Sequence, residues 1–157
     1  MSLMQAKLIF SEMSKILQIG DGILNDDGMC QLILKDKRMP RINFCYLDGS
    51  DEILIFSEIG FVESSMEAEV FKRLMCRQYL LDRSNNVTFS IAPDNTVLTA
   101  QLKLPVAIIN GDDLASAVEN FVNEVAFVKA NYLSKKAEED EDKTASLAQN
   151  LLSGIIA

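Results

Sequence analysis

The sequence INFCYLDGSDEILIFSEIGF, residues 42–61, contains the clearest strand pattern of the chain and indicates how its sheet is built. In its first half apolar side chains recur at every second position, which is typical of a strand with one buried face. Its second half is apolar with few interruptions, and the polar sequence Asp-Gly-Ser-Asp separates the two halves. Because a short polar turn between two such runs favours antiparallel pairing, we predict adjacent antiparallel strands over residues 41–47 and 53–59.

Three more strands extend this pair in both directions along the chain. Residues 29–35 alternate, with Cys30, Leu32 and Leu34 on one face. Downstream, residues 87–92 and 97–104 alternate again. The sequence Pro-Asp-Asn-Thr between them is typical of a hairpin turn. The sequence therefore predicts five short strands.

Apolar residues at three- and four-residue steps predict three amphipathic helices, over residues 4–19, 64–81 and 112–133. Gly20 and the residues after it are expected to end the first helix. A capping box formed by Ser64 and Glu67 is expected to start the second, and Asn110 is expected to cap the third.

The element order α-β-β-β-α-β-β-α predicts an α+β domain over residues 4–133, an antiparallel five-stranded sheet with three helices. Residues 134–157 are predicted to be a charged linker followed by a short apolar C-terminal segment. Leu147, Leu151 and Ile155 would share one face of a short helix, which is marginal alone. We expect this segment either to be disordered or to dock on an apolar groove, where it would compete with any client of that groove.

Composition excludes several classes of function. The 157 residues carry a net charge of −8, which disfavours binding to nucleic acids and to anionic membranes. The chain has no histidine and no glycine-rich phosphate loop, so we predict no catalytic residue, no metal, no cofactor and no enzyme activity. Its three cysteines form no C-x-x-C pair and are expected to be reduced thiols of a cytoplasmic protein.

Three polar clusters in the sequence are better explained by structural roles than by ligand binding or catalysis. The sequence from Asn25 to Gly28 fails the calcium-loop pattern, because apolar residues fall at the first and last ligand positions. Asp112 and Asp113 are neighbours on a helix and do not face each other, so they suit the helix N-terminus and not acid–base catalysis. Four cations cluster near one hairpin tip, where a solvated end is favoured over a phosphate or acidic-partner contact: Lys35, Lys37, Arg38 and Arg41.

The chain offers more apolar surface than one layer of helices can cover. In the first strand, Met29 and Ile33 lie on the face opposite Leu32 and Leu34. A sheet with helices on one side needs only one apolar face. The second face would then meet another subunit, a partner peptide or the C-terminal tail; the alternative is that the chain's own core covers both faces.

With this element order, the sequence resembles the class I chaperones of bacterial type III secretion, the family of the Tir chaperone. The resemblance covers residues 4–133 and is carried by LIFSEMSKILQI, INFCYLDGSDEILIFSEIGF, VTFSIAPDNTVLTAQLKLP and DDLASAVENFVNEVAFVKANYL. The alternative is a non-secretion adaptor or regulator on the same fold, similar to the YbjN group.

The resemblance implies a homodimeric cytoplasmic chaperone that binds the N-terminal segment of a secreted effector. Such a chaperone keeps the effector extended and secretion-competent, and leads it to the secretion ATPase. The first helix and first three strands would bind the client, with these candidate residues: Ile9, Phe10, Met13, Ile16, Ile33, Phe44, Tyr46 and Leu54. The second helix and fourth strand would form the dimer interface, with these: Phe71, Leu74, Met75, Tyr79, Phe89 and Ile91.

Overall fold

The computed structural model describes residues 3–20, 24–35, 39–92 and 97–133, and the backbone of residues 155–156. The elements in chain order are helix α1 (Leu3–Ile16), strands β1 (Met29–Leu34), β2 (Ile42–Leu47) and β3 (Glu52–Phe61), helix α2 (Glu67–Arg77), strands β4 (Thr88–Ile91) and β5 (Val97–Pro105), helix α3 (Gly111–Tyr132) and the two-residue strand β6 (Ile155–Ile156). Single 3₁₀ turns follow α2 and β5, at Tyr79–Leu81 and Val106–Ile108.

The strands form one antiparallel sheet in the order β4-β5-β3-β2-β1-β6. Strands β1 to β3 make a meander, and β5 pairs with β3 along nearly the whole of both strands. The predicted fold class is therefore confirmed, with five strands and three helices in the predicted order. Strand β6 is an addition, because the sequence predicted a helical stripe in that segment.

One face of the sheet, which we call the inner face, carries the core. Phe44 of β2 lies opposite Ile55 of β3, and Ile55 lies opposite Leu102 of β5; all three are buried. Helices α1 and α3 cover this face. The ring of Phe10 meets that of Phe44 edge-on, with 5.1 Å between centroids, an arrangement that adds to the burial of apolar surface.

Helix α1 ends earlier than predicted, at Ile16. Gln18 takes a left-handed conformation with φ of 53°, and the amide of Ile19 donates to the carbonyl of Ser14 at 3.1 Å. Together with the bond from the Gln18 amide to the Lys15 carbonyl, this is a Schellman cap. Ile19 is buried, so apolar contact fixes the cap and Gly20 is not needed to end the helix.

Helix α2 is shorter than predicted at both ends. The capping box of Ser64 and Glu67 is wrong, because the N-cap residue is Met66 and no side chain caps the helix. The amide of Met66 instead donates to the carbonyl of Glu63, which closes a turn before the helix. Its last residue is Arg77, beyond which Leu80 has a positive φ that stops regular helix.

The N-terminus of α3 follows the prediction. Asn110 is the N-cap and accepts from the amide of Asp113, whose carboxylate accepts in return from the amide of Asn110. Gly111 follows, where a Cβ would come within 2.3 Å of Cβ of Glu12. Only glycine allows α1 this close, and Oε2 of Glu12 accepts from the amide of Gly111 at 3.3 Å.

Several predictions fall outside the described residues. They include the hairpin turn at 93–96, the basic side chains Lys37 and Arg38, and the helical stripe of Leu147 and Leu151.

Candidate functional site

Five of the predicted client-binding side chains lie in the core between α1 and the inner face. They are 0–8% exposed: Ile9, Phe10, Met13, Phe44 and Tyr46. A buried side chain has no surface to offer a client, so in this structure these five residues hold α1 on the sheet. Tyr46 also donates from its hydroxyl to Oδ1 of Asp51 at 2.9 Å, and burial, followed by this bond, raises the pKa of the phenol. The sequence showed that these positions were apolar but not which of them α3 would cover.

The other three predicted client residues keep accessible surface. Ile33 is 53% exposed and Leu54 is partly buried; both lie on the face opposite the core, which we call the outer face. Ile16 is 45% exposed but belongs to α1, on the other side of the sheet. The structure thus brings Ile33 and Leu54 to one face and leaves Ile16 apart.

An apolar row crosses the outer face. Met29 lies opposite Cys45, Cys45 opposite Leu54, and Leu54 opposite Lys103. Met29 is 48% exposed, and the thiol of Cys45 and the side chain of Leu54 are half-buried. The row is therefore a shallow apolar track that ends at a cation. Met29 and Ile33 were predicted to lie on the face opposite Leu32 and Leu34, but their link to Cys45 was not predicted.

The next row on the outer face is mostly polar. Gln31, Asn43, Phe56 and Gln101 lie opposite one another in turn on four strands. Nε2 of Gln31 donates to Oδ1 of Asn43 at 2.7 Å, and Nη1 of Arg41 approaches Oε1 of Gln31 at 3.4 Å. These amides can donate to and accept from an extended peptide that lies along the apolar row.

The β1 side of the sheet is an edge on which backbone groups point outward. The amide of Tyr46 donates to the carbonyl of Gly28, which sets the alternation: Gly28, Cys30 and Leu32 face β2, and Met29, Gln31 and Ile33 face the edge. Asn25 satisfies both backbone groups of Met29, at 2.8 and 2.9 Å. Strand β6 pairs with Ile33.

The opposite edge, at β4, has one of its outward amides occupied by the residue that follows α2. Oε1 of Gln78, just past the helix, accepts from the amide of Phe89 at 3.0 Å. Phe89 is half-buried and Ile91 is 41% exposed. A side-chain amide on an edge strand blocks addition of a further strand there.

Helix α2 turns much of its apolar surface to solvent. Of the predicted dimer residues on it, only Leu74 is fully buried, and Phe71 is half-buried. Met75 is 68% exposed and Tyr79 is 72% exposed. Together with Ala68 and Cys76 they line an open groove flanked by Lys72 and Arg83. Large exposed apolar side chains in a cluster are typical of a protein interface.

A buried ion pair fixes α2 against α3. Nη2 of Arg77 donates to Oε2 of Glu124 at 2.8 Å, and its Nε donates to the other carboxylate oxygen. Glu124 is 2% exposed, and the guanidinium lies 3.8 Å above the Phe127 ring centroid. Burial lowers the pKa of Arg77, but the hydrogen bond and charge of Glu124 outweigh it, and the net pKa is raised.

The described residues hold neither a cluster of metal ligands nor a helix that could span a membrane. No group of three or more histidine, cysteine or acidic side chains in this part of the chain could hold a metal ion. None of the helices described is both long and apolar enough to cross a membrane. Burial raises the pKa of the Cys30 thiol, which makes it a poor nucleophile.

The fold is that of solved secretion chaperones. Residues of this chain superpose on the HopA1-SchA chaperone-effector complex with a TM-score of 0.67 and 10% identity, covering 82% of this chain and 95% of that one. The ExsC-ExsE complex gives 0.69 and 10%, covering 85% and 98%. The ExoU-SpcU complex of the Pseudomonas aeruginosa type III secretion system gives 0.62 and 14%, covering 78% and 95%. These TM-scores show a shared fold.

The sequence itself gives the family. A comparison with curated proteins gives no match. The profile of the Tir chaperone protein (CesT) family matches residues 9–129, from α1 to the last turn of α3. The chain therefore belongs to the Tir chaperone family, and it is a type III secretion chaperone.

Proposed function

We propose that this protein acts in the bacterial cytoplasm as a homodimer. It would bind the N-terminal segment of one or more secreted effectors, keep it extended and deliver it to the secretion ATPase. The observation that carries this proposal is the outer face of the sheet, where a partly accessible apolar row crosses the strands from Met29, on a strand edge whose backbone groups point outward. The complexes that resemble this chain, such as HopA1-SchA, support an effector as the partner.

The outer face supplies both things that an extended client requires. Backbone groups at the β1 edge can pair with a client strand, and the apolar row can take spaced side chains. Each apolar side chain that is buried contributes about 1.5–3 kcal/mol. Ordering a disordered client costs about 2–5 kcal/mol or more, so several anchors are needed, and Ile33, Leu54 and Met29 are our candidates.

Co-purification from the source bacterium tests the function. We expect a tagged chain to retain a secreted protein, identified by mass spectrometry, and the client to leave the cell through the secretion system. Bound client should resist proteolysis only near its N-terminus. A partner that is never secreted would instead support the adaptor or regulator on the same fold.

Charged substitutions on the outer face should release the client. In Ile33→Glu and Leu54→Glu we expect client affinity to fall at least tenfold, roughly the loss of one apolar anchor. Titration calorimetry or fluorescence anisotropy with the captured client measures the change. Ile108→Glu is the matched control, because Ile108 is 78% exposed and lies in the turn before α3. Equal affinities in all three variants would place the client elsewhere.

The homodimer is proposed to form through α2 and β4. Met75 and Tyr79 are the exposed apolar side chains of that surface, and two-fold symmetry would bring them onto the same residues of a second copy. Phe71 lines the same groove, and Phe89 and Ile91 are the candidates on β4. Leu74 faces the protein's own core and supports α2 from beneath.

A double substitution tests the dimer. Light scattering at micromolar concentration should give twice 17.5 kDa for the natural chain and 17.5 kDa for Met75→Glu/Tyr79→Glu. The two carboxylates of each copy, four in all, would be buried and unpaired at a two-fold interface, which costs more than the interface gains. Met4→Glu, at an 81% exposed methionine of α1, should stay dimeric. Cys76, exposed on α2, should react with a thiol reagent faster in the monomeric variant. A natural chain of 17.5 kDa would contradict the proposal.

A further inference from the structure

Strand β6 lies on the β1 edge, the edge that the proposed function gives to the client. Ile156 is opposite Ile33, and Ile155 is opposite Leu34, in antiparallel register. An exposed strand edge is a template for any extended segment that reaches it. Here the segment comes from the same chain, and 21 residues separate it from Leu133, the residue after α3.

The alternation along β1 determines which backbone groups are used. Since Gly28, Cys30 and Leu32 face β2, the amide and carbonyl of Ile33 point to β6. They therefore exchange hydrogen bonds with Ile156, while the amide of Ile155 points away from β1. The amide and carbonyl of Met29 are already bonded to Asn25. An incoming strand can therefore pair with β1 at Gln31 and Ile33, the other two residues that face the edge.

We propose that the segment Ile155–Ile156 is a built-in competitor for the β1 edge. In the free chain it occupies the position at Ile33 that an extended client strand takes, and the client displaces it. The competition rests on the proposed function, whereas the occupancy of the edge does not. The segment keeps the edge from pairing with unrelated strands until a client with more contacts arrives.

The docked segment is held weakly enough for a client to displace it. Two paired residues contribute few hydrogen bonds, each of net worth about 0.5–1.5 kcal/mol, so the docked segment is weak. A tether offsets this, because effective concentrations over short linkers are in the millimolar range. Fully extended, 21 residues reach about 70 Å, several times the ~15 Å radius of gyration of a domain of this size. The linker can therefore span the domain.

Hydrogen exchange in two proline variants tests the occupancy. Ile156→Pro removes the amide that bonds to Ile33, so exchange at the Ile33 amide should rise about two- to tenfold over the natural chain. Ile155→Pro is the matched control, since the amide it removes points away from β1, and exchange should stay within about twofold. Equal exchange in the natural chain and Ile156→Pro would overturn the proposal, and so would equal increases in the two variants.

A labelled peptide of residues 145–157 gives a second readout on the full chain. It should bind Ile156→Pro at least about threefold more tightly than the natural chain, because the edge is open. Equal binding would overturn the occupancy. In Met75→Glu/Tyr79→Glu, protection of Ile33 should persist; its loss would show that the segment comes from a second copy and would overturn a competitor within one chain.

The captured client separates this inference from the proposed function. We expect Ile156→Pro to bind the client at least about threefold more tightly than the natural chain does. A client bound equally by both would overturn the competition and leave the proposed function standing. If neither the natural chain nor Ile156→Pro retains a client, both the proposed function and the competition fail. The exchange measurement still decides whether the segment occupies the edge.

Discussion

Replacing Arg77 with methionine should lower the free energy of unfolding by about 3–5 kcal/mol, because it leaves the carboxylate of Glu124 buried without a counter-charge. Glu124 is 2% exposed, and Arg77 donates to both of its carboxylate oxygens. Domains of this kind have about 5–15 kcal/mol of stability in total, so the loss is a large part of it. Urea unfolding followed by circular dichroism measures the change.

Two further variants test whether the loss of stability comes from the unpaired charge of Glu124. Arg77→Met/Glu124→Leu should recover most of the loss, since an apolar pair of similar volume can replace a buried ion pair. Arg73→Met is the matched control: Arg73 lies 4.5 Å above the Tyr132 ring and 4.0 Å from Glu69, but it is more exposed, so we expect a change within about 1 kcal/mol. If Arg77→Met lowered the free energy of unfolding no more than Arg73→Met does, the ion pair between Arg77 and Glu124 would contribute little to stability.

Truncating Phe44 to alanine should lower the free energy of unfolding by about 3–5 kcal/mol, the usual cost of removing a buried aromatic side chain. Its ring is fully buried and meets that of Phe10 edge-on at 5.1 Å. Client affinity, measured where the variant is still folded, should change less than twofold, because the ring lies on the inner face and the proposed client site is on the outer face. Thermal unfolding and anisotropy with the captured client give the two numbers.

The control for Phe44→Ala is Phe61→Ala at the end of β3. Phe61 is 71% exposed, and surface substitutions of this kind usually stay within about 0.5 kcal/mol. A tenfold loss of client affinity in folded Phe44→Ala would return this residue to the client site and contradict the placement given by burial.

Most predictions that depend on neighbouring residues succeeded, although the capping box of Ser64 and Glu67 did not. The cap of α3 needs only Asn110 and Asp113, three positions apart, and both bonds are present. The short polar turn between the two apolar runs of residues 42–61 predicted antiparallel pairing of β2 with β3, and the strands pair in this way. The family resemblance also followed from element order, and the profile match over residues 9–129 agrees with it.

Predictions that depend on distant contacts did less well. Alternation divides a strand into two faces but does not say which face the helices cover, and so Phe44 and Tyr46 were assigned to the client. The end of α1 depends on Ile19 finding a buried site, which no local pattern encodes. Ile33 and Leu54 were named as client candidates in the same set, and only the packing of the helices shows that they lie on the outer face.

The buried ion pair was missed although the sequence carried a signal. Glu124 lies three residues after Phe121 and four before Val128, within the apolar stripe of α3. A charged residue in a buried stripe requires a partner of opposite charge. Arg77 was the matching cation, but 47 residues separate the two, and only the packing of α2 on α3 identifies the pair.

The close approach of Glu12 to Gly111 sets an order of events during protein synthesis. The two residues are 99 positions apart, so at about 5–20 residues per second the ribosome makes the second some 5–20 s after the first. Throughout that interval, the apolar stripe of α1, with Phe10 and Met13, exists without the helix that completes its packing. For most of its translation the chaperone is therefore itself an incompletely folded chain. The apolar side of its first helix is uncovered until the last helix is made.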